Sequence, residues 1–97
     1  MPKYILLTSL TPEGRKTLRE RPYRIREVDK EIESMGVKVL SQFATLGSFD
    51  FVNIVEAPDN ETISRLSIEL TSRGTIQITT LPAIDIDSFI KHLKNQK

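Results

Sequence analysis

A glycine-serine pair near the middle of the chain separates two strand-like runs and constrains the fold more than any other local feature. Gly47 and Ser48 lie between a β-rich run over Val37–Leu46 and a second run from Phe49 or Asp50 to residue 57. Because glycine is preferred at the first central position of a type II′ turn, the pattern predicts a tight β-hairpin. The pair therefore fixes two antiparallel neighbours in whatever sheet the chain forms.

The segment before this hairpin predicts a strand followed by an interrupted helix. A strand over Tyr4–Leu10 leads into a helix that starts at Thr11 and Pro12, since proline is favoured at the first helical position. The apolar spacing continues to Met35. Pro22 lies inside this stretch and should break or kink the helix, because proline removes a backbone donor.

The segment after the hairpin predicts a second helix and a fourth strand. Asp59 or Asn60 is the expected helix cap, and Gly74 is expected to close the helix. A strand over Thr75–Leu81 follows, and Pro82 should stop it. A short final helix near the C-terminus precedes a polar tail at residues 95–97.

This order of elements favours one topology. Right-handed crossovers and a hairpin leave few arrangements for strand, helix, strand, strand, helix, strand. The simplest is an α+β, ferredoxin-like fold, with a four-stranded antiparallel sheet and both helices on one face. The 97 residues suffice for a single domain spanning 1–97. The first and third strands should be central.

The strands carry apolar residues on both faces of this sheet. In the first strand, Tyr4 and Leu6 point one way while Ile5 and Leu7 point the other. The helices can cover only one face, and a large exposed apolar patch usually marks an interface. We therefore expect a homodimer or higher homo-oligomer in which two sheets pair face to face. The alternative is a monomer whose last ten residues cover the patch.

Four stretches of the sequence form a pattern typical of one known family. They are Tyr4–Gly14, Gly47–Asp50, Val55–Asp59 and Thr79–Ile84. On these stretches the chain resembles the GYD-domain family, which is named for a Gly-Tyr-Asp pattern. The resemblance implies a ferredoxin-like fold of the dimeric α/β-barrel type and no particular reaction. Phe49 stands where the motif more often has tyrosine, so the resemblance implies packing or stacking there and not a phenolic hydroxyl.

A second resemblance concerns only the hairpin. A glycine followed three residues later by an aspartate, entering a central strand, is similar to the effector-binding domain of leucine-responsive transcription regulators. Those domains hold amino acids near this hairpin, between subunits. Only Gly47 and Asp50 match, and the chain has no DNA-binding helical region. The resemblance implies a stand-alone sensor of a small ligand.

Composition excludes several functional classes. Fourteen basic and thirteen acidic residues give a net charge of +1 without a basic stripe, so no nucleic-acid partner is expected. The absence of cysteine excludes a disulfide framework, a thiol nucleophile and a zinc-thiolate site. The apolar N-terminal segment is too short to span a membrane and lacks a signal-peptide cleavage region, which predicts a cytoplasmic protein with no membrane partner. No phosphate-binding loop, dinucleotide fingerprint or metal-ligand cluster is present, so no cofactor or metal is predicted.

The candidate ligand-binding residues are Gly47, Phe49, Asp50 and Arg73. Each also has a simpler structural role. Gly47 would form a hairpin turn, and Phe49 would pack in the core or at an interface. Asp50 would accept hydrogen bonds from turn amides, and Arg73 would be a solvated charge at a helix end. No catalytic residue is assigned, since Asp50, Tyr4, Gln42, Asn53 and several threonines are a thin set for catalysis. The sequence favours a non-catalytic oligomeric module that binds a small molecule at a subunit interface near the 46–51 hairpin. A cofactor-free enzyme of the dimeric α/β-barrel kind and a structural or interaction protein are the alternatives.

Overall fold

The computed structural model describes residues 1–95, and the end of the expected polar tail, residues 96 and 97, lies outside this range. Eight elements follow one another along the chain. They are β1 (Lys3–Leu10), α1 (Pro12–Glu20), α2 (Arg24–Ser34), β2 (Lys38–Ala44), β3 (Phe51–Glu56), α3 (Asn60–Thr71), β4 (Ile76–Ala83) and α4 (Ile86–Lys94).

The strands form one open antiparallel sheet in the order β2-β3-β1-β4. Tyr4 of β1 lies opposite Val55 of β3 on one side and opposite Pro82 of β4 on the other. The first and third strands are therefore central, as the sequence predicts. The α+β arrangement is consistent with a ferredoxin-like fold, to which α4 is added at the end.

Proline and threonine set the limits of the first two helices. The hydroxyl of Thr11 accepts a 3.1 Å hydrogen bond from the amide of Gly14 and caps α1. The predicted break at Pro22 is confirmed, because α1 ends at Glu20 and α2 begins at Arg24. Asp59, one of the two expected caps of α3, accepts a 2.8 Å hydrogen bond from the amide of Thr62.

The core lies between the sheet and the helices α1, α2 and α3. Alternate residues of β1 are buried, as expected for a strand with one covered face. The buried apolar residues are Tyr4, Leu6, Ile32, Val37, Val55, Ala57, Ile63, Leu66 and Leu70. The hydroxyl of Tyr4 donates a 2.5 Å hydrogen bond to Oδ1 of Asn60, which satisfies its polar end.

The opposite face of the sheet is apolar and is less covered than the face that packs on the helices. Ile5, Leu7, Val52 and Ile54 are only half-buried there, and Phe43 and Leu81 are exposed. Helices α1, α2 and α3 pack on the sheet, whereas α4 has no buried residue between Ile86 and Lys94. Within residues 1–95, the C-terminal helix leaves Phe43 and Leu81 of this face exposed.

An ion pair lies where β4 ends and α4 begins. Lys3 donates a 2.9 Å hydrogen bond to Asp85, the residue that precedes the helix. Ile86, Phe89, Ile90 and Leu93 lie along one side of α4, at helical spacing, and all four are exposed. Among residues 1–95, no helix combines the length and the apolar character needed to cross a membrane.

Two local predictions are wrong. The turn between β2 and β3 is not a two-residue hairpin, because β2 ends at Ala44 and β3 begins at Phe51, leaving a loop over residues 45–50. The fourth strand does not stop before Pro82 and continues to Ala83. β4 is an edge strand, where a proline can be accommodated because no further strand needs its missing amide.

Candidate functional site

The loop over residues 45–50, called the hairpin loop below, is held by hydrogen bonds at both of its ends. The amide of Thr45 donates to the carbonyl of Asp50 at 2.8 Å, and the hydroxyl of Thr45 donates to the carbonyl of Phe49 at 2.7 Å. The hydroxyl of Ser9 donates to the carbonyl of Ser48 at 3.1 Å. These bonds fix the loop against its own base and against β1.

Asp50 is bound to the end of β1. Its Oδ2 atom accepts a 2.7 Å hydrogen bond from the amide of Leu10, and its own amide donates to the carbonyl of Thr8 at 2.7 Å. The sequence expectation that Asp50 satisfies amides of the turn is therefore corrected, since the amide that it accepts belongs to a different strand. This carboxylate continues the bonding to β1 beyond Phe51, the first residue of β3, which pairs with Thr8.

The other two predicted residues of the loop have different surroundings. Gly47 has a φ of +114°, a conformation that residues with a Cβ rarely adopt, while the space around it is open. Phe49 is half-buried, and the neighbouring Leu46 is fully exposed at the loop surface. Ligand binding by Gly47, Phe49 and Asp50 stays a prediction.

A cavity of about 250 Å³ lies on the helix-covered face of the sheet, between α1, α2 and the strands. Most of its lining is aliphatic or aromatic, including Leu6, Leu18, Ile25, Val28, Phe51 and Ile78. Of the four residues predicted as a ligand set, Arg73 lines this cavity and the three residues of the hairpin loop do not. The structure thus separates one predicted site into two places.

Asn53 is, with Thr8, one of the two buried polar residues that line the cavity, as far as the structure describes it. It lies on the central strand β3, opposite Leu6 of β1 and Gln42 of β2, and only 8% of its surface is exposed. Its Oδ1 atom has no hydrogen-bond partner within the described residues. A buried acceptor left without a partner costs about 1–3 kcal/mol, so its presence in the core needs a reason.

Arg73 and Arg24 lie at the rim of the cavity and share one carboxylate. Arg73 contacts Glu31 of α2 at 2.5 Å, and Arg24 contacts the same carboxylate at 3.2 Å. The hydrogen bond from Arg73 holds the pKa of Glu31 below its ordinary value, and the charges of both arginines act in the same direction. Arg73 is an exposed charge at the end of α3, as the sequence predicts, and its ion pair with Glu31 also joins the end of α3 to α2.

A second polar cluster holds α2 to β2 beside the cavity. Gln42 donates a 2.8 Å hydrogen bond from Nε2 to Asp29, and Arg26 contacts the other oxygen of Asp29 at 3.2 Å. Arg26 also donates to Oε1 of Gln42 at 3.4 Å. Both ends of the Gln42 amide are thus occupied, so this amide does not serve its neighbour Asn53.

Asn53 and Gln42 are recognisable in the sequence as polar strand residues, whereas the cavity is not. Alternation along β3 puts Asn53 on the helix-facing side, and this was the available signal. Within residues 1–95, no group of three or more His, Asp and Glu side chains is placed to hold a metal ion. The features that bear on function are therefore the hairpin loop, the cavity and the less covered apolar face.

Comparison with known proteins decides the family. Residues 4–93 match the GYD domain, which is nearly the whole chain. The chain belongs to the GYD-domain family. This GYD domain is 46% identical to a protein of Thermus thermophilus described as a glutamine synthetase and cystathionine beta-lyase binding protein, over 97% of this chain and 100% of the relative.

A distant structural likeness bears on the fold alone. The GYD domain superimposes on the solution structure of the C-terminal domain of the MgtC protein from Mycobacterium tuberculosis with a TM-score of 0.50. The identity is 11%, and the match covers 84% of this chain and 86% of the other. At such low identity the likeness supports the α+β architecture and says nothing about function.

Proposed function

We propose that this GYD domain is a non-catalytic binding protein that acts as a homo-oligomer. Its proposed partners are enzymes of the glutamine synthetase or cystathionine beta-lyase kind. The observation that carries the proposal is the 46% identity to the Thermus thermophilus protein, which is described as binding those two enzymes. The alignment spans 100% of that relative, so its binding surface belongs to a domain that this chain matches throughout.

The less covered sheet face supports self-association. Its residues are apolar in the centre, and the ion pair of Lys3 and Asp85 lies at its border with α4. A two-fold axis would place the same apolar surface of two copies against each other, which is the commonest way in which identical chains pair. Exposed apolar area of this kind usually marks an interface.

Helix α4 supports the same assembly. It has nine residues, and a helix this short is marginal in water unless one face packs on something. Its apolar side, formed by Ile86, Phe89, Ile90 and Leu93, stays exposed within the described residues. In the proposed dimer this side of α4 packs against the second copy.

The hairpin loop is the proposed contact for the enzyme. It lies at one end of the sheet and presents Leu46, which is fully exposed, from a backbone fixed by Thr45, Asp50 and Ser9. A loop that is already ordered loses less conformational entropy when a partner binds. Asp50 would act here as a positioning residue, because it holds the loop without being at its exposed tip.

Light scattering after size exclusion tests the assembly. Wild-type protein should elute as at least a dimer at micromolar concentration, and Phe89→Ser should shift the equilibrium toward monomer. Lys91→Ser introduces a serine on the opposite side of α4 and should leave the molar mass of the assembly unchanged. A wild-type monomer at this concentration would refute the face-to-face pairing.

Calorimetric titration tests the enzyme partner. The protein is titrated separately into purified glutamine synthetase and cystathionine beta-lyase encoded in the same genome, with binding expected to at least one. Leu46→Ser should weaken that binding about tenfold or more, the loss expected when an apolar anchor is removed, whereas Ser48→Ala in the same loop should not. No heat of binding with either enzyme overturns the proposed partners, and an unaffected Leu46→Ser variant overturns the loop as the contact.

A further inference from the structure

We propose that the cavity between α1, α2 and the sheet is a binding site for a compact, uncharged and largely apolar molecule that carries one hydroxyl group. Threonine hydroxyls on two walls of the cavity hold that group by hydrogen bonds. This site goes beyond the proposed enzyme binding and does not depend on it, because the cavity lies on the opposite face of the sheet from the proposed dimer contact and none of the hairpin loop lines it.

The first supporting observation is the set of threonine side chains in the lining. They are Thr8 of β1, Thr17 of α1, and Thr75 just before β4. Within residues 1–95, the hydroxyl groups of these three side chains have no hydrogen-bond partner. In the same range, Oδ1 of Asn53 is the one side-chain atom that is both unpartnered and fully enclosed, so the threonine hydroxyls keep accessible surface. Each hydroxyl can donate one hydrogen bond and accept others.

The second observation is that two of these hydroxyls come from different walls of the cavity. Thr8 lies on the helix-facing side of β1, in alternation with the buried Leu6. Thr17 lies one turn along α1 from Gly14, which closely approaches the main chain of Thr75. The sheet and the helix thus each supply a polar contact to the space between them. A ligand hydroxyl suits this arrangement, because it can donate to one threonine and accept from the other.

The third observation is the size and apolar lining of the space. About 250 Å³ is available, whereas an apolar cavity of about 150 Å³ in another protein is enough to hold benzene. The lining includes Leu18, Ile25, Val28, Phe51 and Ile78, which suit a ring or a branched aliphatic group. A few polar contacts within an apolar pocket are the usual pattern for orienting a small ligand.

The fourth observation concerns charge. The charged residues of the lining, as far as the structure describes it, are Arg24, Asp29 and Arg73. Each is already in an ion pair: the two arginines with Glu31, and Asp29 with Arg26. A charged ligand would have to displace one of these pairs, whereas an uncharged one leaves them in place.

The probes p-cresol and p-xylene test the site, because they are similar in size and differ by one hydroxyl group. Each is titrated into isotope-labelled protein, and both are expected to shift the amide resonances of the cavity lining. Thr8→Val keeps the shape of the side chain and removes only its hydroxyl. It should weaken p-cresol binding about three- to tenfold, the effect of one hydrogen bond, and should not weaken p-xylene binding. Thr17→Val makes the same change on the helix wall and should have the same effect.

The controls separate the threonine contacts from other effects. Thr79→Val makes the same chemical change at an exposed position of β4 that does not line the cavity, and it should leave both affinities unchanged. Leu46→Ser should bind p-cresol as the wild type does, even where it no longer binds the enzyme. A p-cresol affinity that stays unchanged in Thr8→Val or in Thr17→Val overturns the contact from two walls. No movement of the lining resonances of the wild type with either probe overturns the site.

Discussion

The Oδ2 atom of Asp50 accepts a 2.7 Å hydrogen bond from the main-chain amide of Leu10. Leu10 is the last residue of β1 and also lines the cavity, while Asp50 ends the hairpin loop. This hydrogen bond therefore connects the hairpin loop, where the enzyme is proposed to bind, to the strand that leads into α1. It makes the conformation of the loop and the position of the β1 end depend on each other.

Replacing Asp50 should destabilise the fold. Asp50→Ala leaves the amide of Leu10 without its partner in a partly buried position, and we expect the free energy of unfolding to fall by about 1–3 kcal/mol. Asp50→Asn keeps an acceptor oxygen at the same place and should lose less. Urea unfolding of both variants measures the difference. Ser48→Ala, in the same loop, is the control and should stay close to wild type, and an equally stable Asp50→Ala would contradict a structural role for this carboxylate.

Glycine is required at position 14 because the main chain of Thr75 approaches it closely, and not because of its backbone angle. A Cβ at this position would overlap the main-chain carbonyl oxygen of Thr75, next to the bond between the amide of Thr11 and the same oxygen. In a helix open to solvent, alanine in place of glycine would stabilise by up to about 1 kcal/mol. Here the overlap dominates, and Gly14→Ala should lower the free energy of unfolding by about 1–3 kcal/mol.

Thermal and urea unfolding check this sign. Lys16→Ala lies in the same helix at an exposed position and should be nearly neutral, so it controls for helix propensity. A Gly14→Ala variant more stable than wild type would show that α1 can move away from Thr75 without loss. The junction of α1 with the start of β4 would then be looser than its hydrogen bonds indicate.

The order of elements could be predicted because short-range signals determine it. Pro22 separates two helices by removing a backbone donor, Thr11 caps α1 through its own hydroxyl, and alternation in β1 places Tyr4 and Leu6 in the core. Each of these effects acts within a few residues. The central position of β1 and β3 then followed from the few topologies that the order permits.

The hairpin loop and the cavity could not be predicted, because tertiary contacts determine them. Gly47 indicates a turn, but the length of the loop is set by the bonds between Thr45, Asp50 and Leu10. The sequence shows Asn53 as a polar residue in a strand, and only the packing of α2 against the sheet reveals a space beside it. The sequence likewise shows Arg73 as a surface charge, and only the fold brings it into an ion pair with Glu31 of α2.

Removing the amide of Asn53 should not weaken the fold. Asn53→Leu replaces a buried acceptor without a partner by an apolar side chain of similar size, so we expect stability equal to wild type or higher by up to about 1–3 kcal/mol. Gln42→Leu is the contrast, since it removes the hydrogen bond to Asp29 and should destabilise. Denaturant midpoints of the two variants check this. A strongly destabilised Asn53→Leu would mean that the amide has a structural partner in solution.

Stability should decline in acid through the ion pair of Glu31 and Arg73. The hydrogen bond from Arg73 lowers the pKa of Glu31 below the value of 4.5 expected for the unfolded chain. The folded state then binds the proton less readily, so the contribution is fully present above that value and is lost as pH falls through the lower, folded pKa. Both side chains are about a third exposed, so the pair should contribute no more than about 1 kcal/mol.

Urea unfolding at a series of pH values tests this with Glu31→Gln. The variant should be less stable than wild type at neutral pH, and the difference should shrink once the solution is acidic enough to protonate Glu31 in the folded protein. Some acid sensitivity should remain, because the hydroxyl and amide of Thr62 lower the pKa of Asp59 in the same direction. Glu33→Gln changes an exposed carboxylate on the same helix and serves as the control. A constant difference between wild type and Glu31→Gln at every pH would show that the loss comes from packing and not from the charge of Glu31.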